Sequence, residues 1–270
     1  VAQRRRLGSR LRIGFGLIRV CVHLTLGFAI IVTTFGLISE DRRRALIHWW
    51  SRRVLLICGI TVRVRGAPLE THRGAMLVLN HISWTDIYVV HAVRPVRFVA
   101  KSEIRSWPLI GYLCDRTGTL FIERGRRKAV HQVNQQIAQV LRDGGVVGIF
   151  PEGTTSDGTN LLPFHANLIQ AAIDAERPVQ PVALRYFKPR GGIAEAASYI
   201  GDTSLFESIC MILDDAPIIA RATILPCIET TGLTRHEVAQ AARKAIAASL
   251  GVDTGDTRAA MSADLQGELL

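Results

Sequence analysis

Between Val20 and Ile38 the chain runs nineteen residues without a formal charge, VCVHLTLGFAIIVTTFGLI. As an α-helix at ~1.5 Å per residue this run is about 28 Å long, close to the roughly 30 Å hydrocarbon thickness of a bilayer. Arg10, Arg12 and Arg19 precede it, and Arg42, Arg43 and Arg44 follow it. Guanidinium groups in those places suit the headgroup level and attract anionic lipid. A cleavable leader fits less well, because the run is long and no small-x-small site follows it. A helix buried in a water-soluble core is the other reading, and it leaves the flanking arginines without a role.

The charge balance repeats the point. The first 53 residues hold eleven of the 33 Lys and Arg but only Glu40 and Asp41 of the 23 acidic residues, a net +9 out of +10 for the chain. The following stretch, DRRRALIHWWSRRVLLIC from Asp41 to Cys58, mixes Arg, Trp49, Trp50 and Leu or Ile. That composition suits a helix lying in the membrane interface, where indole rings settle. With arginines on both sides of the apolar run, the positive-inside rule gives no orientation. A true span and a helical hairpin dipping into one leaflet both fit. Nucleic acid is a poor partner for this basic end, because the apolar run sits in its middle.

The remainder is nearly neutral. At 48% hydrophobic and 21% charged, the 270-residue chain is neither disordered nor short of core material, and suits one domain plus an attachment. Apolar runs at 60–64, 76–79, 97–100, 119–122, 146–150, 179–184 and 220–225 read as strands. Helices are expected from about Ser83 to His91, Lys128 to Arg142, about His165 to Ala175, and Arg235 to Leu250. The last opens on a capping box, Thr234-x-x-Glu237, and closes at Gly251. Strands interleaved with helices predict an α/β fold with a mixed, largely buried sheet flanked by helices. The expected organisation is a membrane anchor over 1–58, an α/β domain over 59–251 and a loose tail over 252–270. Five scattered cysteines without C-x-x-C spacing predict reduced thiols and no zinc site.

Four blocks can carry chemistry. In LVLNHISWTD, 77–86, a buried strand runs into Asn80 and His81 and then past Ser83 into a helix, with Asp86 five residues after the histidine. A turn there brings imidazole and carboxylate together, the minimum for a general base with an orienting partner. The same spacing arises by accident in a chain with eight His, with Asp86 merely favouring a helix start. In VVGIFPEGTTSDG, 146–158, a strand stops at Pro151 and is followed by Glu152, Gly153 and Thr154. Such a turn lets backbone approach a ligand, and a carboxylate so placed needs a partner; a rigid turn with caps is the plainer reading. In GTLFIERGRRK, 118–128, a strand precedes Arg124, Arg126, Arg127 and Lys128, a set suited to an anionic headgroup or to simple solvation. In VQPVAL, 179–184, Pro181 interrupts a strand, which suggests a bulge or a ligand-lining edge.

Together and in this order the blocks resemble the glycerolipid acyltransferases, which acylate glycerol-phosphate and lysophospholipids. Asn80, His81, Ser83 and Asp86 match the family's Asn-His-x-Ser-x-x-Asp. Phe121-Ile122-Glu123-Arg124 is similar to its strand leading to a substrate-binding Arg. Phe150 to Thr154 match Phe-Pro-Glu-Gly-Thr, and Val179 to Val182 match Val-x-Pro-Val. The resemblance covers about residues 60–190. It implies His81 and Asp86 as catalytic residues, and Arg124, Glu152, Gly153, Thr154, Asn80 and Ser83 as substrate-binding ones.

It further implies transfer of an acyl group from acyl-CoA or acyl carrier protein, used as co-substrate, with no resident cofactor and no metal. The expected acceptor is 1-acyl-sn-glycerol-3-phosphate, giving phosphatidate, and the expected partners are membrane lipids. The expected location is a bacterial inner membrane with the catalytic domain on its cytoplasmic face. Backbone N–H groups around Gly153 and Thr154 are candidates for the oxyanion donors. The chain departs from the pattern at Thr155, where the family commonly has an Arg that helps hold the acceptor phosphate. Members that acylate lyso-ornithine lipid are similar to this variant, which makes that lipid the second acceptor. A lipid ester or thioester hydrolase using the same base on water is the alternative of another class.

Overall fold

The computed structural model describes residues 2–70, 73–123 and 127–253. It opens with two helices, α1 (Ala2–Thr34) and α2 (Glu40–Ile57). The basic segment before the apolar run is helical too, as expected of residues such as Ala, Arg and Leu with high helix propensity. α1 is therefore longer than the uncharged run at its amino end and stops four residues short of Ile38 at the other. In α2, Glu40 and Asp41 lie in the first turn, where the helix dipole favours acids, and pair with Arg43 and Arg44 at 2.8 and 2.9 Å. Ser51, Val54 and Leu55 form the buried face of α2.

The strands are β1 (Ile60–Gly66), β2 (Ala75–Leu79), β3 (Arg97–Lys101), β4 (Leu120–Ile122), β5 (Val146–Ile149), β6 (Val179–Phe187) and β7 (Ile218–Ile224). Between them lie α3 (Asp86–Val93), α4 (Ile110–Arg116), α5 (Arg127–Arg142), α6 (Gln170–Asp174) and α7 (Leu205–Asp215), and α8 (Arg235–Leu250) follows β7. One seven-stranded sheet results, in the order β1-β7-β6-β2-β5-β3-β4. β6 and β7 are antiparallel and all other neighbours parallel, so the sheet is mixed, as expected. β2 and β5 are buried at every position, as strands covered on both faces must be. One core cluster joins the sheet to α2, α3 and α7, and the other joins its opposite face to α5, α6 and α8.

The differences from the sequence reading have local causes. The helix expected from about His165 to Ala175 is only Gln170–Asp174, because the segment before it folds as turns against the end of β5, with His165 N–H donating to Pro151 O. α3 starts at Asp86 rather than near Ser83, because residues 80–83 form the turn that holds Asp86. α4 and α7 were not expected, although α7 carries a complete capping box from Ser204 and Glu207. Pro181 makes no bulge. It pairs with Val78 on β2, and its missing N–H falls on the β7 side, where the β6–β7 ladder starts only at Val182.

α1 lies against the domain along its length. Arg12 pairs with Asp214 of α7 at 3.0 Å, and Gly16 sits against Leu213. His23 stacks on Trp50 of α2 with ring centroids 5.1 Å apart. A Cβ on Gly27 would come within 2.4 Å of the Trp50 indole nitrogen, so only Gly allows this close crossing. Farther along, Phe28 meets Tyr112 of α4. The opposite face presents Leu11, Phe15, Ile18, Val22, Leu26 and Val32 to the exterior. With exposed Ala29 between Leu26 and Val32, their three- and four-residue spacing makes one continuous apolar stripe.

Candidate active site

β2, β5, β3 and β4 run in one direction and end at the same sheet edge. α/β proteins hold ligands at such edges. The residues following β2 and β5 therefore arrive side by side although about 70 positions separate them.

From Leu79 the chain turns at Asn80, which is 2% exposed. Its carboxamide accepts from Leu184 N–H at 2.7 Å and donates to Leu184 O at 3.0 Å, clamping the turn to β6. His81 follows with its side chain 19% exposed, and its Nδ1 lies 2.8 Å from Asp86 Oδ2. Asp86 is fully buried at the start of α3. Its Oδ2 also accepts from the N–H groups of Ile82 and Ser83 at 2.7 and 2.9 Å, and its Oδ1 accepts from the Tyr186 hydroxyl at 2.6 Å. Four donors converge on this carboxylate at the helix amino end and hold it in one rotamer. An acceptor-only Asp86 fixes the proton of neutral His81 on Nδ1 and leaves Nε2 as the nitrogen able to take a proton.

Tyr186 is a residue the sequence reading missed. Burial pushes its phenol well above the ordinary range, with the adjacent Asp86 adding to the effect, so it remains a donor. Its oxygen meets Thr85 Oγ1 at 2.8 Å. Ser83 is fully buried, and its Oγ accepts from Thr85 N–H at 3.3 Å. Phe150, at the end of β5, stacks on the His81 ring with centroids 3.9 Å apart, and Phe98 stacks in turn on Phe150 at 5.4 Å. Gly148 makes room for Phe98, whose ring a Cβ there would approach within 2.7 Å.

Glu152 is 4% exposed. Its Oε1 accepts from His81 N–H at 2.6 Å and its Oε2 from Leu162 N–H at 2.9 Å. Burial pushes its carboxyl up to about 7, against the opposing pull of the two N–H groups. The turn is completed by Gly153, with φ +71°, whose N–H donates to Phe150 O at 3.1 Å. That N–H is thus engaged within the turn, which removes it from the expected oxyanion donors. Thr154 is exposed beside it. Ser156 N–H donates to His81 O at 2.8 Å, and the Thr155 hydroxyl donates to Tyr199 O. Arg124 lies outside the described residues. β4 itself lies on the side of β3 away from β5. Lys101, also missed from sequence, ends β3 between them and is exposed. A strand ending in a basic residue at this edge was the available signal. No group of three metal-ligating side chains comes together among the described residues, and the five cysteines are free thiols.

The chemistry this geometry permits is proton abstraction by Nε2 at a sheet edge, with a fixed negative charge behind the imidazole. Comparison with known proteins gives the chain's family. The Acyltransferase family pattern matches residues 61–185. The lyso-ornithine lipid O-acyltransferase of Pseudomonas aeruginosa is 40% identical over 210 residues, 77% of this chain and 79% of that enzyme. The 1-acyl-sn-glycerol-3-phosphate acyltransferase of Neisseria meningitidis is 42% identical over 161 residues, 59% of this chain and 62% of that enzyme. The crystal structure of the 1-acyl-sn-glycerophosphate acyltransferase of Thermotoga maritima shares the fold at 19% identity, with a TM-score of 0.70 over 92% of this chain and 96% of that one. A pattern covering both edge-forming turns and a relative matched over most of its length lead to one conclusion: the chain belongs to the glycerolipid acyltransferase family.

Proposed function

We propose that this enzyme transfers a fatty acyl group from a thioester donor to the free hydroxyl of a lysolipid, 1-acyl-sn-glycerol-3-phosphate, to give phosphatidate. The observation that carries this is the His81–Asp86 pair at 2.8 Å, with the carboxylate buried and the imidazole reaching the surface. Nε2 takes the proton of the acceptor hydroxyl, and Asp86 stabilises the resulting imidazolium. The acceptor oxygen attacks the thioester carbonyl, the C–S bond breaks, and the departing thiolate recovers the proton from His81. The product is an ester and a free thiol. No covalent enzyme intermediate is required, since a thioester is already activated.

In this reading Asn80, Ser83 and Glu152 position the site rather than touch substrate. Each is buried and engaged by backbone groups, Asn80 by Leu184 of β6, Ser83 by Thr85, and Glu152 by His81 and Leu162. Gly153 and Thr154 border the acceptor, and Arg124, together with Lys101, supplies the cationic side for its phosphate. Lyso-ornithine lipid is the second acceptor. It is favoured by Thr155, whose hydroxyl is bound to Tyr199 O where a cation would otherwise stand, and by the Pseudomonas relative. The donor is acyl-CoA or acyl carrier protein.

Membrane association follows from the apolar stripe of α1. The contacts of α1 with α2, α4 and α7 along its length support the hairpin arrangement, with the stripe bedded in one leaflet and the site held at the headgroup plane. The catalytic domain, residues 59–251, then faces the compartment that supplies the thioester, the cytoplasm of a bacterial cell.

The test is to incubate the full chain in vesicles with an acyl thioester and each lysolipid in parallel, with His81→Ala as control. Formation of the diacyl lipid by the wild type and its loss in the variant is the expected result. Release of free fatty acid instead would replace the transferase by a hydrolase.

A further inference from the structure

On the sheet face opposite α2, α3 and α7, three neighbouring strands each place an arginine in the same row. The register pairs Arg63 of β1 with Arg221 of β7, and Arg221 with Arg185 of β6. Arg65, two positions along β1, lies on the same face opposite Thr223. Side chains alternate along a strand, and Leu184, Tyr186, Ala220 and Ala222 belong to the core with α2 and α7. The arginines therefore point the other way.

α8 packs on β6 at this face, whereas Arg63 and Arg65 are exposed. None of the three strands carries an acidic residue. Like charges directly opposite each other weaken a sheet, so the row is an unfavourable arrangement for folding alone. Arg185 donates to Leu250 O at 2.6 Å, and Arg221 lies over Phe187 at 4.3 Å. Even so, the Nε atoms of Arg185 and Arg221 are both buried without a hydrogen-bond partner among the described residues. Those two Nε atoms are enclosed, so an acceptor brought by a partner meets the row at its exposed end, Arg63 and Arg65.

The shape of the patch limits what that acceptor is. Two strand spacings of ~4.8 Å make the row about 10 Å wide, and Arg65 extends it along β1. A single phosphate covers one or two guanidinium groups. Carboxylates three and four residues apart on a helix, about 5–6 Å between them, match the whole patch. Lipid headgroups are the wrong partner, because α1, which carries the apolar stripe, lies on the α2 and α7 side of the sheet and the arginine face points away from it. The patch also sits at the height of the active site, since Arg185 adjoins Tyr186, whose hydroxyl holds Asp86.

We propose that this arginine face is the docking surface for an acidic carrier protein bearing the acyl thioester. The proposal rests on the transfer reaction above and chooses between its two donors.

The test compares wild type with the double variant Arg63→Glu/Arg65→Glu, both positions exposed and free of core contacts, with melting temperature as the folding control. Binding of a fluorescently labelled acidic acyl carrier protein to the detergent-solubilised full chain is read by anisotropy at several salt concentrations. Expected are tight, steeply salt-dependent binding by wild type and at least about tenfold weaker binding by the variant. KM for the carrier-bound donor is expected to rise in parallel while KM for acyl-CoA of the same chain length stays within about twofold. Equal carrier binding by the two proteins overturns the proposal. So does a matching loss with both donors, or a loss of binding to phosphatidylglycerol vesicles, which would make the patch a lipid surface. If wild type transfers from neither donor, the reaction is refuted while the anisotropy result still decides the docking surface.

Discussion

Asp86→Asn isolates the charge of the carboxylate from its geometry. In the wild type Asp86 Oδ2 faces three donors, His81 Nδ1 and the N–H groups of Ile82 and Ser83, and Oδ1 faces the Tyr186 hydroxyl. An Asn side chain keeps its oxygen on the three-donor side, because an NH2 there would meet N–H groups head-on. Its NH2 then donates to the Tyr186 oxygen, and Tyr186 turns its own proton toward Thr85 Oγ1, 2.8 Å away. Every polar atom keeps a partner, so the stability cost is expected to stay within about 2 kcal/mol. The His81 tautomer is also kept, since the amide oxygen still accepts from Nδ1. What disappears is the attraction between carboxylate and imidazolium as the proton is taken. At roughly 4 Å between charge centres and an effective dielectric of about 20, that attraction is about 4 kcal/mol, or about a thousandfold in rate. Release of free thiol from the donor, followed with a thiol-reactive dye on lysolipid micelles, gives kcat/KM, and thermal unfolding checks the fold. A folded Asp86→Asn enzyme retaining more than a tenth of wild-type kcat/KM would show that the charge behind His81 does not drive the reaction.

Three further outcomes are expected. Tyr186→Phe strips Asp86 Oδ1 of its donor in a buried site, which should cost about 1.5–3 kcal/mol of stability and about tenfold in kcat with little change in KM; an unchanged kcat would reduce Tyr186 to packing. For Glu152, a folded-state value of about 7 against 4.5 means that the native protein holds a proton which the unfolded chain has released. Stability therefore declines as pH rises from about 4.5 to 7, by up to about 3 kcal/mol, and levels off above; Glu152→Gln should remove that slope in denaturant titrations, and a slope that survives would place its origin elsewhere. Phe15→Glu/Val22→Glu puts two charges on the outward stripe of α1 and should abolish flotation with vesicles while leaving the melting temperature within a few degrees. This is a cleaner test than deleting residues 1–58, because Val54, Leu55 and Cys58 belong to the core and their loss would unfold the domain.

The strands and helices legible in the sequence were those with strong short-range signals: β2 and β5 as unbroken apolar runs, and α8 from its cap and terminal Gly. α7 carries an equally good cap at Ser204, but its buried face is short and flanked by exposed Phe206 and Met211, so its periodicity is weak. The His81–Asp86 contact was legible for a related reason. Five residues and one turn separate the two groups, and a turn is a local object. Glu152 was legible as a carboxylate needing a partner, but its partners, the backbone of His81 and of Leu162, were not.

What the sequence determined by itself, then, is whatever depends on neighbours a few residues apart: the anchor's apolar run and its basic flanks, the alternation of strand and helix, and the two turns that end β2 and β5. Tertiary structure alone decided that Tyr186 holds Asp86 from 100 positions away, that Arg63, Arg185 and Arg221 share a row, and that α1 lies along the domain instead of standing free. Those facts depend on strand order and helix docking. Both are chosen by how the buried faces of the whole chain pack together, at an entropic cost of closing long loops that no local pattern encodes.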